Sequence, residues 1–340
     1  MASGPPSLYD LTCAIHVHST FSDGTGKVAE IARAASRAGV DVVLLTDHNT
    51  LEARRRGLER WHDDVLVLVG EEVTPPDENH YLAFGVEEEV DWSGRSPGEI
   101  CAAVRDAGGF GFAAHPFSRG SSRFKRARPM PWRDLDCDGL AGIELWSFVN
   151  DNGEAVRSIP EALRFLAAPS RFMVGPPERN LREWDRMNAG GRRVVGIGGL
   201  DAHQIGRRVF DRWVVRPMGY ARSFAQLRTH VLCSELPDGD VGHDREQVYA
   251  ALREGRCYIA ADALAPARGF AFWREGEALH ARVPRPAELG LLRDGELVAQ
   301  VSGAALTAAV EEAGSYRVEA RLRAFGRERT WILSNPIVVS

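Results

Sequence analysis

The chain has 340 residues, 44% hydrophobic and 26% charged, an ordinary globular composition. A net charge of −5 gives no broad positive field for nucleic acid, and no apolar run approaches the ~20 residues that span a bilayer. The five cysteines, Cys13, Cys101, Cys137, Cys233 and Cys257, form no C-x-x-C pair, which argues against a disulfide framework and a thiolate zinc site.

The first eight residues lack a basic segment followed by an apolar one, so no secretory signal is expected and a reducing cytoplasm is the expected setting. Cys13 to Val17 then reads as a strand, and Lys27 to Ala38 as a helix stopped by Gly39. Asp41 to Thr46 and Val65 to Val69 are short apolar runs of the kind buried on both faces of a parallel sheet. A helix is expected over Leu51–Trp61 between them. Further on, helices are expected over Ser96–Ala107 and Leu181–Ala189, and strands over Gly109–Ala114, Gly142–Leu145 and Val194–Gly198. This alternation predicts an α/β chain with a parallel sheet closed into a barrel. From Asp262 onward the pattern changes. Six short strands, over Phe270–Trp273, Leu279–Val283, Glu288–Leu292, Leu297–Val301, Tyr316–Leu322 and Thr330–Leu333, predict a small antiparallel β-sandwich over 262–340, after a barrel over 9–261.

The ionisable residues fall at the carboxyl ends of these strands, where barrel enzymes carry their chemistry. His16 and His18 are two apart, so on a regular strand both rings leave one face. Asp23 follows in a loop. His48 ends the next strand, Glu72 the next, His80 opens another, His115 ends its own, and Asp201 and His203 lie just past Leu200. Converging imidazoles and carboxylates suit zinc, manganese or iron, and a water bridging two such ions would be acidified for attack on phosphorus or carbonyl. Taken singly, Asp23 could serve the Ser22-Asp-Gly24 turn and Asp201 a helix cap. Their recurrence at successive strand ends is what points to metal.

His16-Val-His-Ser-Thr-Phe-Ser-Asp-Gly24, Thr46-Asp-His-Asn49, Gly70-Glu-Glu72, Ala114-His-Pro116 and Asp201-Ala-His203 together resemble the successive motifs of the PHP (polymerase and histidinol phosphatase) superfamily. The resemblance covers about Leu11 to Ala261 and implies a distorted (β/α)7 barrel with two or three divalent ions (Zn, Mn or Fe). It implies that His16, His18, Glu72 and Asp201 hold one ion, that Glu72, His80 and His115 hold a second, and that Asp23, His48 and His203 hold a third. Glu72, Asp201 and His203 would be the catalytic residues. The Gly-x-Glu spacing selects Glu72 over its neighbour Glu71. Glu144 would orient a histidine or make a structural hydrogen bond. Ser147 stands where asparagine is frequent. The strand-rich tail resembles that of the CehA/McbA branch.

The segment Ser118–Arg133 carries Arg119, Arg123, Lys125, Arg126, Arg128 and Arg133 and reads as a basic loop beside the metals or as a solvated one. Arg119, three residues past His115, and Arg207, past His203, are candidate phosphate ligands. The expected activity is hydrolysis of a small phosphate ester, a nucleotide or a nucleic-acid end. The alternatives are a metal-dependent hydrolase of a carboxylic or carbamic ester or amide, and a binding module without turnover. No membrane partner is expected.

Overall fold

The computed structural model describes residues 5–121, 128–189, 191–204, 207–209, 213–216 and 218–340, the side chains of 207–209 and 213–215 excepted. Strand Tyr9–Val17 (β1) leads through helix Val28–Ala38 (α1) to strand Val42–His48 (β2). Gly39 ends α1 as expected: at φ +69 its N–H reaches the Ala35 and Ser36 carbonyls, a conformation glycine adopts without penalty. The helix expected over Leu51–Trp61 is a single turn, Glu52–Arg55 (α2). Gly57 at φ +67 breaks it, and Arg60–His62 (β3) pairs antiparallel with Val65–Val73 (β4) instead. Trp61 thereby donates its indole N–H to Asp244 at 2.9 Å.

Tyr81–Phe84 (β5) follows β4 with no helix between them and runs antiparallel to both neighbours, so the strand–helix alternation is interrupted there. Helix Pro97–Asp106 (α3), capped by Ser96 and opened by Pro97, restores it before Phe110–Ala113 (β6) and Gly142–Ser147 (β7). Three helices not foreseen in the sequence come next, Phe148–Ala155 (α4), Ile159–Ala167 (α5) and Pro169–Phe172 (α6), then Glu178–Ala189 (α7) and Val195–Gly199 (β8). β1, β2, β4, β5, β6, β7 and β8 are hydrogen-bonded in that order. Past β8 the chain returns to β1. Leu200 and Ala202 donate their N–H groups to the Ile15 and His16 carbonyls, and His18 donates to Ala202, at 3.0–3.1 Å.

Alternation within the strands splits the core. Val43, Leu45, Val67 and Val69 face helix residues such as Ile31, Ile100 and Trp184, whereas Leu44, Leu66, Leu68, Phe112 and Ile197 pack together on the other face. The second half of the chain adds Arg207–Val209 (β9), Trp213–Val215 (β10), Tyr220–Phe224 (α8), Arg228–Cys233 (β11), Val241–Arg253 (α9) and Cys257–Ala260 (β12). Among the described residues, no helix is long and apolar enough to cross a membrane, and all five cysteines are buried free thiols.

The C-terminal region is antiparallel β: Ala271–Glu275 (β13), Ala278–Arg293 (β14), Glu296–Ala309 (β15), Gly314–Ala324 (β16), Arg327–Ser334 (β17) and Ile337–Val339 (β18). Its strands are longer than expected. The separate strands read at Leu279–Val283 and Glu288–Leu292 are one strand, β14, whose ladder to β15 lapses between Arg282 and Ala287. Pro284 and Pro286 sit there and have no N–H to offer. β17 pairs with β12, so this region continues the same sheet. Asn335 clamps the seam, accepting from Gly196 N–H at 2.8 Å and donating to the Gly196 and Cys257 carbonyls at 3.0 Å.

A buried charged group also lies at this seam. His230 Nδ1 is 2.7 Å from Asp10, its Nε2 is 3.3 Å from Asp262, and Tyr258 donates to Asp10 at 2.6 Å. Burial disfavours the imidazolium, but hydrogen bonds to Asp10 and Asp262 overcome it and raise the His230 pKa. Burial likewise opposes the Asp10 charge, and His230 and Tyr258 overcome it to lower that pKa. The histidine's stabilisation is therefore complete below its ordinary pKa of about 6.5 and is lost as pH rises through the raised folded value; that of Asp10 is lost as pH falls below about 4. Denaturation midpoints should decline on the alkaline side, and His230→Gln should remove that decline. A variant with an unchanged pH profile would exclude His230 as its source.

Candidate metal centre

The first pair of histidines converges for a reason other than strand alternation. Ile15 pairs with Leu44 and Val17 with Leu45, so His16 is the extra residue of a bulge, at φ +65. Cys13 and Ile15 pack on the face that α9 covers, while Ala14 and Val17 pack with the cluster that holds α1, α3 and α7 residues. Regular alternation would send His16 to the same side as Ala14. The bulge turns it back, and His18 joins it past the strand end. His115 at φ +30 and Asp201 at φ +50 are held in the same sparsely populated region, which costs of order 1–3 kcal/mol per residue and recurs at functional sites.

Glu72 is the centre of the cluster. Its Oε1 lies 2.9 Å from His80 Nδ1 and 3.4 Å from His115 Nε2. Its Oε2 lies 3.3 Å from His16 Nε2, 3.4 Å from His18 Nε2 and 3.1 Å from His48 Nδ1. Asp201 Oδ1 completes the second group at 3.5 Å from His16 and 3.4 Å from His18. Asp23 gathers a third: His203 Nε2 at 3.0 Å, His48 Nε2 at 3.5 Å and His18 Nδ1 at 3.9 Å. All nine residues expected as ligands thus come together, in overlapping sets whose ligand atoms lie within 4.8 Å of one another. Glu71 points elsewhere and accepts from Val90 N–H at 2.7 Å; burial pushes its pKa up to about 7.

The donor set fits divalent ions. His16 Nε2, both His18 nitrogens and Glu72 Oε2 are buried without a hydrogen bond, a costly arrangement that coordination would relieve. The protein's own charges compensate in part. Burial opposes ionisation of Glu72 and Asp201, but the surrounding histidines outweigh it and hold both carboxyls well below their usual range. For His16, burial is outweighed by Glu144, Glu72 and Asp201, and its pKa is raised. His18 is pushed down to about 4 by burial and by His203, which leaves its ring neutral, as a ligand must be.

A supporting layer fixes these side chains. His16 Nδ1–H donates to Glu144 Oε1 at 3.2 Å, and the His115 backbone N–H donates to Glu144 Oε2 at 2.6 Å. A Cβ at residue 199 would stand 1.9 Å from Glu144 Oε1, so Gly199 is required for that carboxylate to reach the histidines. Asp47 accepts from Ser19 N–H, Ser19 Oγ and Ser22 Oγ at 2.6–2.7 Å, clamping the loop that carries Asp23. Tyr220 donates to the His18 carbonyl at 2.7 Å. Asn150 donates to Asp201 Oδ2 at 2.8 Å and to Ser147 Oγ at 3.2 Å. Removing such an orienting partner typically weakens metal binding 10–100-fold. Glu144→Gln should therefore weaken metal affinity by about that factor in a chelator-buffered titration; wild-type affinity would make Glu144 a purely structural brace.

Residues 14–118 match the PHP domain family. The match is to the N-terminal part of the chain. The matched stretch takes in His16, His18, Asp23, His48, Glu72, His80 and His115, while Asp201 and His203 lie beyond it and are brought in by the fold. An uncharacterized protein of Methanocaldococcus jannaschii is 27% identical over 152 residues, 41% of this chain and 83% of that protein. Among solved structures, a two-domain protein of Bacteroides vulgatus containing a predicted PHP-like metal-dependent phosphoesterase is 15% identical, with TM-score 0.44, covering 99% of this chain and 98% of its own. An amidohydrolase from Chromobacterium violaceum is 16% identical, with TM-score 0.31, covering 56% of this chain and 87% of its own.

The supporting residues of the cluster were only partly legible. Asp47 and Glu144 stand inside motifs, whereas Asn150, in the first turn of α4, and Tyr220 carried no signal. The basic loop is less uniform than expected. Arg128 pairs with Asp77 and Arg133 with Glu78. Arg119 is exposed, and among the described residues only its backbone N–H has a partner, Glu154 at 3.4 Å. Arg123, Lys125 and Arg126 lie outside the described residues, as do the side chains of Arg207 and Arg208.

Proposed function

We propose that the protein is a metal-dependent phosphoesterase acting on a small phosphate ester, a nucleotide or a nucleic-acid end, with β1, β2 and β4–β8 forming a distorted (β/α)7 barrel around its site. One observation carries this reading: the two oxygens of Glu72 face different histidine groups, the geometry of a carboxylate shared between two cations. His16, His18 and Asp201 would complete one position, His80 and His115 the second, and Asp23, His48 and His203 a third. When bound, divalent ions polarise a phosphoryl oxygen and acidify water.

The chain's own residues do the rest. Glu144 fixes the His16 tautomer by accepting a hydrogen bond from its Nδ1–H, so Nε2 presents a lone pair toward Glu72 and Asp201. Asp201 is oriented by Asn150, and its backbone carbonyl lies 3.0 Å from His203 Nδ1, which aims His203 Nε2 at Asp23 and the open side of the site. Arg119, on the loop after His115, carries a guanidinium without an ion pair among the described residues, suited to bidentate contact with a phosphate. Its place favours a phosphate ester over a neutral ester or amide.

Protein loaded with zinc, manganese or iron should release phosphate in a screen of phosphomonoesters and phosphodiesters, and His16→Ala should lose both activity and metal. Hydrolysis of carboxylic esters or amides without phosphate release would replace this reading with the hydrolase alternative. Absence of any metal-dependent turnover would reduce the protein to a binding module.

A further inference from the structure

A cleft of about 810 Å³ opens between α4–α6 and the turn joining β16 to β17, and none of the nine candidate metal ligands lines it. Its walls carry an unusual charge. The exposed side chains of Arg157, Arg164, Arg171 and Arg327 line it, and among the described residues none of these guanidinium groups has an ion pair. Elsewhere arginines are commonly paired, as Arg54, Arg192, Arg228 and Arg317 show.

Arg329 sharpens the case. It is 1% exposed, yet its guanidinium donates only to the backbone carbonyls of Met173, Arg171 and Ala324. A buried cation without an acid is expensive unless an anion completes it. The acids that line the cleft are committed elsewhere: Glu161 to the Arg157 and Ser158 N–H groups, Glu154 to Arg179, and Asp151 to Ser147 N–H. Arg179 Nε is itself buried without a partner. The net field is positive, and it is gathered in one concavity rather than spread over a surface.

We propose that this cleft binds a ligand bearing two or more linked phosphate groups, at a site distinct from the metal cluster. Several guanidinium groups around one concavity match the several oxygens of such a chain, and among the described residues the exposed arginines give up no ion pair to hold it, Arg171 standing over the Phe325 ring at 5.1 Å. This inference does not depend on the hydrolytic reading and survives its failure.

The test is calorimetric titration of the full chain at low salt, in a chelator that empties the metal cluster, with inorganic tripolyphosphate and with ATP. One site per chain is expected, weakening as salt rises. Arg171→Glu and Arg327→Glu, both exposed, should each weaken binding about tenfold or more, whereas Arg285→Glu on β14 should leave it unchanged. His16→Ala should bind like the wild type. Equal affinity for the two ligands identifies a bare phosphate chain as sufficient, and tighter ATP binding identifies a nucleotide. The proposal is overturned by no binding of either ligand at millimolar concentration, by wild-type binding in both cleft variants, or by loss of binding in His16→Ala.

Discussion

Glu72→Gln is expected to remove at least two bound divalent ions together and to lower kcat/KM by on the order of a thousandfold. The amide keeps the shape of the carboxylate but supplies a single acceptor oxygen and no charge, whereas the structure has five histidines arranged about the two Glu72 oxygens. Loss of several kcal/mol of charge stabilisation in the transition state corresponds to a factor of that size. Metal content and activity should fall together across Glu72→Gln, His16→Ala and His80→Ala, with Glu72→Gln the most severe. A Glu72 variant that kept its metals and most of its rate would show that the carboxylate is not shared between cations. Unfolding should be followed in parallel, since a variant that merely fails to fold would also lose metal.

The largest single effect on stability is expected at Asp185. Arg317 on β16 is 3% exposed and makes a bidentate pair with Asp185 on α7 at 2.6 and 2.8 Å, fastening the C-terminal strands to the helix layer. Its guanidinium also stands over the Trp184 ring at 5.8 Å. Asp185→Ala leaves a buried cation whose remaining ion-pair partner among the described residues is Glu319, at 3.6 Å, and should cost about 3 kcal/mol in denaturant unfolding. Replacing both partners, Asp185→Leu with Arg317→Met, should cost clearly less, because no charge is then left buried. A single variant with wild-type stability would show that the pair is not what joins these layers.

How much of this was visible in the sequence depends on which physical signal each element carries. β2 and β4 were legible because both faces are buried, which writes an unbroken apolar run into Val42–Leu45 and Val65–Val69. α1 and α3 announced their ends through Gly39 and through Ser96-Pro97. The stretch 51–61 has a helical composition, but Gly57 adopts a left-handed conformation that composition alone does not reveal, and a strand follows it. In β14 two strands are expected, one on each side of the prolines at 284 and 286, whereas one strand passes through them with only its ladder interrupted.

The site was more legible than the reasons for it. The nine ligand candidates were identifiable because coordination chemistry restricts residue type and because strand ends concentrate them. The convergence of His16 and His18 was attributed to two-residue alternation, and it is produced by a bulge that no local pattern marks. Asn150 and Tyr220 were invisible because they act across more than 50 residues of chain, 51 for Asn150 with Asp201 and 202 for Tyr220 with His18. Among the arginines of the loop after His115, its place singles out Arg119, with three residues between the two. The partners agree: Arg128 pairs with Asp77 and Arg133 with Glu78, whereas among the described residues the Arg119 guanidinium has no ion pair.

The most direct test of the account is an anomalous-scattering crystal structure of protein purified with manganese or zinc, with metal content measured on the same preparation. The account predicts at least two ions per chain, one on the His16, His18 and Asp201 side of Glu72 and one on the His80 and His115 side, each in contact with a different Glu72 oxygen. A single ion that leaves one Glu72 oxygen without a cation, or full occupancy at sites that do not include Glu72, would contradict it.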